Sequence, residues 1–324
     1  MTSEHVDLNR IPRLAIVVPC FNEDESIVHT AQKLQDTIHR LSNEALIASD
    51  SFLLFVDDGS VDNTWNYICR LHGSNPAIKG LKLSRNFGHQ AAVLAGLSEV
   101  TGRCDAAISI DADLQQDPAA IRDFVAAFRA GNEVVIGVRN DRSSDNWIKK
   151  ATASGFYSFM RVMGVNIVPD HADYRLLGAQ ALDALSHFTE PNVFLRALCL
   201  QLGFRTAVVH FAVSERKFGR TKYSVKKMMR LAVHGITSSS VAPLRFVAIL
   251  GFLFFLLSAV MAMYVLWQTL FIGNTVPGWA STILPIYFIG GVQLLCLGVV
   301  GEYIGQVYST VKHRPRWISE HKLD

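Results

Sequence analysis

Short apolar runs alternate with amphipathic stretches through the first part of the chain. Residues 14–18, 52–56, 106–110 and 134–138 are apolar and lack polar alternation, and 80–83 is a weaker strand signal. Such runs predict strands covered on both faces of a mostly parallel sheet. Between them, residues 26–41, 63–71, 89–100 and 118–130 carry helical signals. The last of these opens with Pro118 near its first turn and stops at Gly131, as helices do. The alternation predicts a Rossmann-like α/β domain with its ligand site outside the carboxyl ends of the strands. From about Asp141 to Arg220 the pattern is less regular, with amphipathic helices expected over 148–164 and 179–188.

The pattern changes after Val241. Residues 246–272 form an uncharged run long enough to cross a bilayer with some tilt. A turn-rich break, 273–278, precedes a second uncharged run, 279–300. Before the pair, residues 223–236 set Lys226, Lys227 and Arg230 beside Val225, Met228 and Leu231 at helical spacing. That spacing predicts a helix lying on an anionic membrane surface, with packing on the domain as the alternative. Arg245 flanks one end of the apolar pair, and Lys312, Arg314, Arg316 and Lys322 flank the other; the connecting loop has neither Lys nor Arg. Positive charge marks the cytosolic side, so both outer ends are expected in the cytosol. The resulting division is a catalytic domain over 1–222, an interfacial helix region over 223–243, a transmembrane hairpin over 244–311 and a cytosolic basic tail over 312–324. Gly298, Gly301 and Gly305 would admit a second helix closely, which leaves a homo-oligomer open.

Composition sharpens this picture. The 50% hydrophobic content and mean hydropathy of +0.23 are high for a purely soluble chain. A net charge of +3 is too small to argue for a nucleic-acid partner. Five scattered cysteines without CxxC spacing read as reduced thiols. The polar first ten residues carry no cleavable secretory signal. No GxGxxG follows the first strand, which argues against a dinucleotide dehydrogenase.

The chemistry concentrates at the strand ends. Asp111-Ala112-Asp113 follows one apolar run, Asp57-Asp58-Gly59-Ser60 another, and Pro19-Cys20-Phe21-Asn22-Glu23 ends the first. Carboxylates at i and i+2 of an extended chain point to one side. Two like charges so placed call for a cation between them, and a hard divalent ion suits oxygen ligands.

These stretches resemble glycosyltransferase family 2, and within it the polyprenyl-phosphate glycosyltransferases. The matching segments are VVPCFNE at 17–23, FVDDGSVDNT at 55–64, LSRNFGHQAAVLAGL at 83–97 and ISIDADLQQDP at 108–118. DYRLL at 173–177, ERKFGRTKYS at 215–224 and GEYIGQVY at 301–308 complete the set, so the resemblance spans nearly the whole chain. It implies a GT-A fold that binds a nucleotide-sugar with Mg2+ or Mn2+, and a hexose transferred, with inversion, from a UDP-sugar to undecaprenyl phosphate. Glucose is the expected sugar, and the cytosolic face of the inner membrane the expected place. Other donors, GDP-mannose or a UDP-aminoarabinose derivative, stay open. A processive polysaccharide synthase is disfavoured, because Arg316-Trp317 is not part of a QxxRW motif. A non-catalytic membrane scaffold is opposed by the intact carboxylates.

By the same resemblance, Pro19, Phe21 and Glu23 surround the base and Asp57 contacts its edge. Asp111 and Asp113 hold the metal, and Gln115 joins its shell. Arg216 and Lys222 hold phosphates, with Arg220 and Tyr223 beside them on the acceptor side; simple attraction to anionic lipid is the alternative. Arg85 is a further donor contact, and residues 86–89 a turn into a helix near the donor, where Gly88 permits a tight backbone. No histidine shows metal-ligand spacing. Asp173 is the candidate general base, although a lipid monophosphate is already ionised at neutral pH. Orienting Arg175 or the acceptor, binding the donor sugar, or simply pairing with Arg175 are its other readings.

Overall fold

The computed structural model describes residues 11–140, 171–188, 190, 195–212, 242–267, 271 and 279–324. They belong to two compact units: residues up to 212 with 314–324, and residues 242–313.

The first unit is built on one eight-stranded sheet ordered β7-β5-β6-β4-β1-β2-β3-β8. Strands β1 (Leu14–Cys20), β2 (Phe52–Asp57), β3 (Ile78–Leu83) and β4 (Ala106–Ser109) pair in parallel at its centre. Strand β6 (His171–Gly178) runs antiparallel between β4 and β5 (Val134–Arg139), and β7 (Thr206–Phe211) pairs parallel with β5. This is the mostly parallel α/β arrangement that the alternation predicts.

Both faces of the central strands are buried, and each face has its own partners. Leu14, Ile16 and Val18 point into one core with helices α1 (Ile27–Asn43), α2 (Thr64–Ser74) and α4 (Ile121–Arg129). Ala15 and Val17 point into the other with α3 (His89–Val100), α5 (Ala179–Ser186) and α6 (Leu195–Gln201). Helix α1 earns its place by Ile27, Ala31, Leu34, Ile38 and Leu41, a stripe of helical period. Burying each large aliphatic side chain contributes roughly 1.5–3 kcal/mol. Helix α3 packs tightly on the sheet at Gly96, where a Cβ would come within 2.4 Å of Val17 Cγ1.

Chain reversal between β1 and β4 sets the functional end. Helix α1 leaves β1 over one face, whereas α3 reaches β4 over the other, so the loops after β1, β2 and β4 open onto a crevice.

Two expectations are corrected here. The basic tail is no separate segment: residues Ser319–Leu323 form β8, an antiparallel edge strand on β3. Its charges are paired across the edge, Lys82–Glu320 at 3.0 Å, Lys322–Glu99 at 2.6 Å and Arg103–Asp324 at 2.7 Å, and charged side chains are how sheets blunt an edge. Helix 118–130 begins instead as a 3-10 turn at Pro118–Ala120, capped by the Asp117 carboxylate accepting from the Ala119 N–H.

In the second unit, α7 (Ala242–Trp267) and α8 (Trp279–Val311) are helical, and Phe254 meets Phe288 at 5.6 Å between ring centroids. Among the described residues, one helical stretch, Phe288–Val311, is long and apolar enough to cross a membrane; Pro243–Phe254 is a shorter apolar one. Helix α8 continues past Val300, where the uncharged run ends, to Val311, and carries Pro285 within it. Many of its large apolar side chains are exposed, among them Leu294, Leu297 and Ile304. The expected turn at 273–278, the surface helix at 223–236 and the amphipathic helix at 148–164 lie outside the described residues.

Candidate active site

The loops after β1 and β2 are stitched together. The Asn22 N–H donates to Ser60 Oγ at 2.9 Å, and the Val61 N–H donates to Asn22 Oδ1 at 3.0 Å. The Glu23 N–H donates to Thr64 Oγ1 at 2.9 Å. Asn22 reaches this geometry in the left-handed region, at φ 55°, where asparagine is one of the few tolerated side chains. The result leaves Phe21 exposed at the rim while Pro19 stays buried in β1, beside Val56. Glu23 accepts a 2.7 Å hydrogen bond from Ser26 Oγ.

Asp57 and Asp58 do different work. Asp57 is fully buried; its Oδ1 accepts from the Ser60 N–H at 2.9 Å, while its Oδ2 has no hydrogen-bond partner. Burial pushes its carboxyl up from the ordinary value. An orphaned acceptor in a buried pocket is costly unless a ligand supplies the donor. Asp58 accepts from the Phe87 and Gly88 N–H groups at 2.7 and 2.9 Å, which fixes the backbone just ahead of α3. Gly59 has no substitute between them: it sits at φ +68°, and a Cβ there would lie 2.3 Å from the Arg85 carbonyl carbon. Arg85 itself stacks over the Phe87 ring, with its guanidinium carbon 4.0 Å from the centroid.

The turn after β4 is tighter than an extended chain. The Leu114 N–H reaches back to the Asp111 carbonyl, and Leu114 stands at φ 48°. Asp111 and Asp113 therefore face different neighbours, against the expectation for an extended i, i+2 pair. Asp113 borders an open groove of about 440 Å3 on the α1 side, shared with Thr30, Lys33 and Asp117. Asp111 Oδ1 faces His89 Nε2 at 3.6 Å. Its Oδ2 accepts from the Gln116 amide at 2.7 Å, and its own N–H donates to Gln116 Oε1 at 2.9 Å. Burial pushes the Asp111 carboxyl up to about 6, with Asp173 and Asp113 adding to the rise and His89 and Arg139 opposing it. The nearby Gln115 offers its backbone N–H to Asp113 at 3.2 Å. The side chain that grips Asp111 belongs to the buried Gln116.

Strand β6 brings in the third carboxylate. Ser109 of β4 lies opposite Arg175 of β6, and its Oγ donates to the Asp173 carbonyl at 3.5 Å, which brings Asp173 beside the β4 turn. Asp173 is held by two guanidiniums: buried Arg175 Nη2 on Oδ1, and Arg196 through Nε at 3.2 Å and Nη2 at 2.9 Å. These arginines hold its carboxyl well below the usual carboxylate range despite its burial. His89 Nε2 is 3.9 Å from Asp173 Oδ2, so the imidazole stands between Asp111 and Asp173. His171, at the start of β6, is buried with neither ring nitrogen bonded. Burial, aided by Arg175 and Arg196, pushes it down to about 3.

The geometry thus gathers Phe21, Glu23, Asp57, Arg85, Asp111, Asp113 and Asp173 at one rim. Arg216, Arg220, Lys222 and Tyr223 lie outside the described residues. His89, Gln116, Asp58 and Arg196 were missed as site residues; the turn into α3 was legible, but nothing in its spacing marked His89 as a bridge. Among the described residues no three acidic, histidine or cysteine side chains converge as a metal cage. The donor set still fits Mg2+ or Mn2+, which are commonly held by one or two carboxylates plus substrate phosphates.

Known families and proteins resemble this chain over most of its length. The model of glycosyl transferase family 2 matches residues 15–186, and that of the GtrB C-terminal hairpin matches residues 242–307. An uncharacterized glycosyltransferase, YkoT of Bacillus subtilis (strain 168), is 48% identical over 94% of this chain and 90% of its own length. The bactoprenol glucosyl transferase of Shigella phage SfV is 34% identical over 96% of this chain and 99% of its own. Among solved structures, mannosyl-3-phosphoglycerate synthase from Rubrobacter xylanophilus aligns with a TM-score of 0.47 at 17% identity, over 74% of this chain and 75% of that one. With its carboxylate rim inside the family match and the hairpin model following it, the chain belongs to glycosyltransferase family 2 and is a glycosyltransferase.

Proposed function

We propose that this protein transfers a single glucose from UDP-glucose to undecaprenyl phosphate, with inversion, at the cytosolic face of the bacterial inner membrane. The observation that carries the reading is the reach of the likeness to the phage bactoprenol glucosyl transferase. It runs through both the carboxylate rim and the C-terminal helices, over 96% of this chain. The exposed apolar faces of α7 and α8 support a two-span anchor with both termini in the cytosol.

The rim supplies the chemistry. Phe21 offers a face and the orphaned Asp57 Oδ2 an acceptor to the nucleotide base. Asp111 and Asp113, joined by Gln115, would hold the divalent cation, which neutralises charge gathering on the diphosphate as it leaves. The lipid phosphate attacks the anomeric carbon from the opposite side. Pairs of cationic residues such as Arg216 and Lys222 hold phosphates near the bilayer, with Arg220 and Tyr223 flanking them.

Purified protein in lipid nanodiscs, given undecaprenyl phosphate, Mg2+ and a mixture of UDP-glucose, GDP-mannose and a UDP-aminoarabinose derivative, tests the reading by mass spectrometry of the lipid product. A hexosyl lipid carrying the UDP-glucose label in inverted configuration is expected. Product from GDP-mannose alone rejects the donor. Asp113→Asn should lower kcat by about 10²–10³-fold, or about 2.7–4 kcal/mol of barrier.

A further inference from the structure

We propose that residues 316–319, the entry into β8, are a positioning element of the donor site that holds the turn 84–89 and with it Arg85 and His89. The inference deepens the reading above and rests on its placing of the nucleotide-sugar at that turn.

Three observations carry it. First, the ladder between β3 and β8 ends at the turn. Leu83 lies opposite Ser319, and the next amide, the Ser84 N–H, donates to the Ile318 carbonyl at 2.9 Å. Arg85 follows directly. The register shifts between Lys82 and Leu83, which makes Glu320 the extra residue of β8, and its carboxylate reaches Lys82 at 3.0 Å. Bulges recur next to active sites, where they re-aim the chain. Second, the entry into β8 is fastened at a point away from β3. Arg316 Nη1 donates to the carbonyl of Phe188, just past α5, at 2.8 Å, and its guanidinium carbon lies 4.8 Å from the Trp317 ring centroid. Trp317 packs against the same core as Phe87 and Phe188. Third, the turn is gripped from its other flank as well. The sheet order puts β3 between β2 and β8. From the β2 side, Asp58 accepts from the Phe87 and Gly88 N–H groups, and Gly59 abuts the Arg85 backbone. The donor turn is thus clamped between two neighbours, and residues 316–319 are one of them.

A ligand that must order its own loop binds more weakly, because the free energy of ordering is subtracted from that of binding. Loosening the clamp should therefore appear in donor affinity. The far half of β8 has a different task. Leu81 lies opposite Lys322 and Gly80 opposite Leu323, nearer the start of β3. There Lys322 pairs with Glu99 at 2.6 Å and Asp324 with Arg103 at 2.7 Å. The two ends of one strand can thus be loosened separately.

The full chain in nanodiscs with Mg2+ compares Arg316→Ala and Arg316→Lys with the far-end double variant Lys322→Ala/Asp324→Ala. The readouts are UDP affinity by calorimetry, separate KM values for UDP-glucose and undecaprenyl phosphate, and hydrogen exchange at the Ser84, Phe87 and Gly88 amides. Arg316→Ala should weaken UDP binding and raise the UDP-glucose KM about tenfold, the loss of a charge-assisted hydrogen bond, with the acceptor KM within about twofold of wild type. Exchange at the three amides should quicken. Arg316→Lys, which keeps a charged donor without the planar fork, should lose about threefold, and it carries the test even if the alanine variant does not fold. The far-end variant should lower the melting temperature and move neither KM. Unchanged UDP affinity and exchange in the Arg316 variants overturn the inference. So does a far-end variant that raises the UDP-glucose KM as much, since β8 would then act through the stability of the sheet alone. A wild type that binds UDP but makes no glycolipid overturns the proposed reaction, while the binding and exchange readouts still decide the inference. A wild type that does not bind UDP overturns both.

Discussion

Asp57 and Asp111, at the β2 and β4 ends of the rim, are carboxyls pushed up by burial, whereas Asp173 on β6 is drawn down by two arginines. Asp57 leaves an oxygen unbonded and Asp111 is pushed up to about 6. Asp173, one strand away, is drawn well down by Arg175 and Arg196. Burial is common to all three, so it cannot explain the opposite directions; the cations can. The first two have no arginine on them, so ionisation there calls for a cation or a donor, while the third already has its cations. A charge left incomplete in a fold marks where something binds, and a completed one marks what holds the binding groups in place.

That contrast can be broken most forcefully at Asp173. Asp173→Ala leaves buried Arg175 uncompensated and should cost about 3–5 kcal/mol of stability, read as a lowered melting temperature of the purified protein. A change under 1 kcal/mol would mean the arginines find other partners. A smaller effect is expected at His171, whose two nitrogens are buried without partners. Its pKa in the fold, about 3, lies below the ordinary 6.5, so in acid the unfolded chain takes up a proton that the folded one refuses. Stability is therefore full above about pH 6.5 and falls as pH drops toward 3. His171→Leu should remove that loss, gaining about 2 kcal/mol relative to wild type at pH 5 against its difference at pH 8. Parallel melting curves for the two proteins at both pH values check it.

Asp111 should give the smallest effect and the opposite pH sense. Its folded pKa is raised from 3.8 to about 6, so ionisation penalises the fold. The penalty sets in as pH rises past 3.8 and is complete above about 6. Asp111→Asn should stabilise the metal-free protein above that pH by about 1 kcal/mol, discounted because a third of the side chain meets solvent. It should do nothing at pH 3.5, and it should weaken Mg2+-dependent UDP binding. Stabilisation independent of pH would trace the gain to packing and sink the comparison.

How much of this was legible follows from how each segment hides its polar groups. Strands β1, β2 and β4 advertise themselves because they are apolar on both faces, whereas Lys79 and Lys82 weaken the signal of β3. Strand β6 is as deeply buried, yet Asp173 and Arg175 interrupt its apolar run, and their mutual neutralisation appears only in three dimensions. Strand β8, Ser-Glu-His-Lys-Leu, has no apolar alternation at all and is held by ion pairs with β3 and α3. At the site, the acidic turns were plain, but the sharp reversal at Leu114 decided which glutamine turned inward. His89 could be placed only once α3 was seen to begin beside both Asp111 and Asp173.

The ribosome reads β8 only after α7 and α8 have been made, although its partner β3 comes early in the message. The catalytic unit thus waits, one border open, until the apolar helices have left the exit tunnel, which ties completion of the sheet in time to delivery of the helices that precede its last strand.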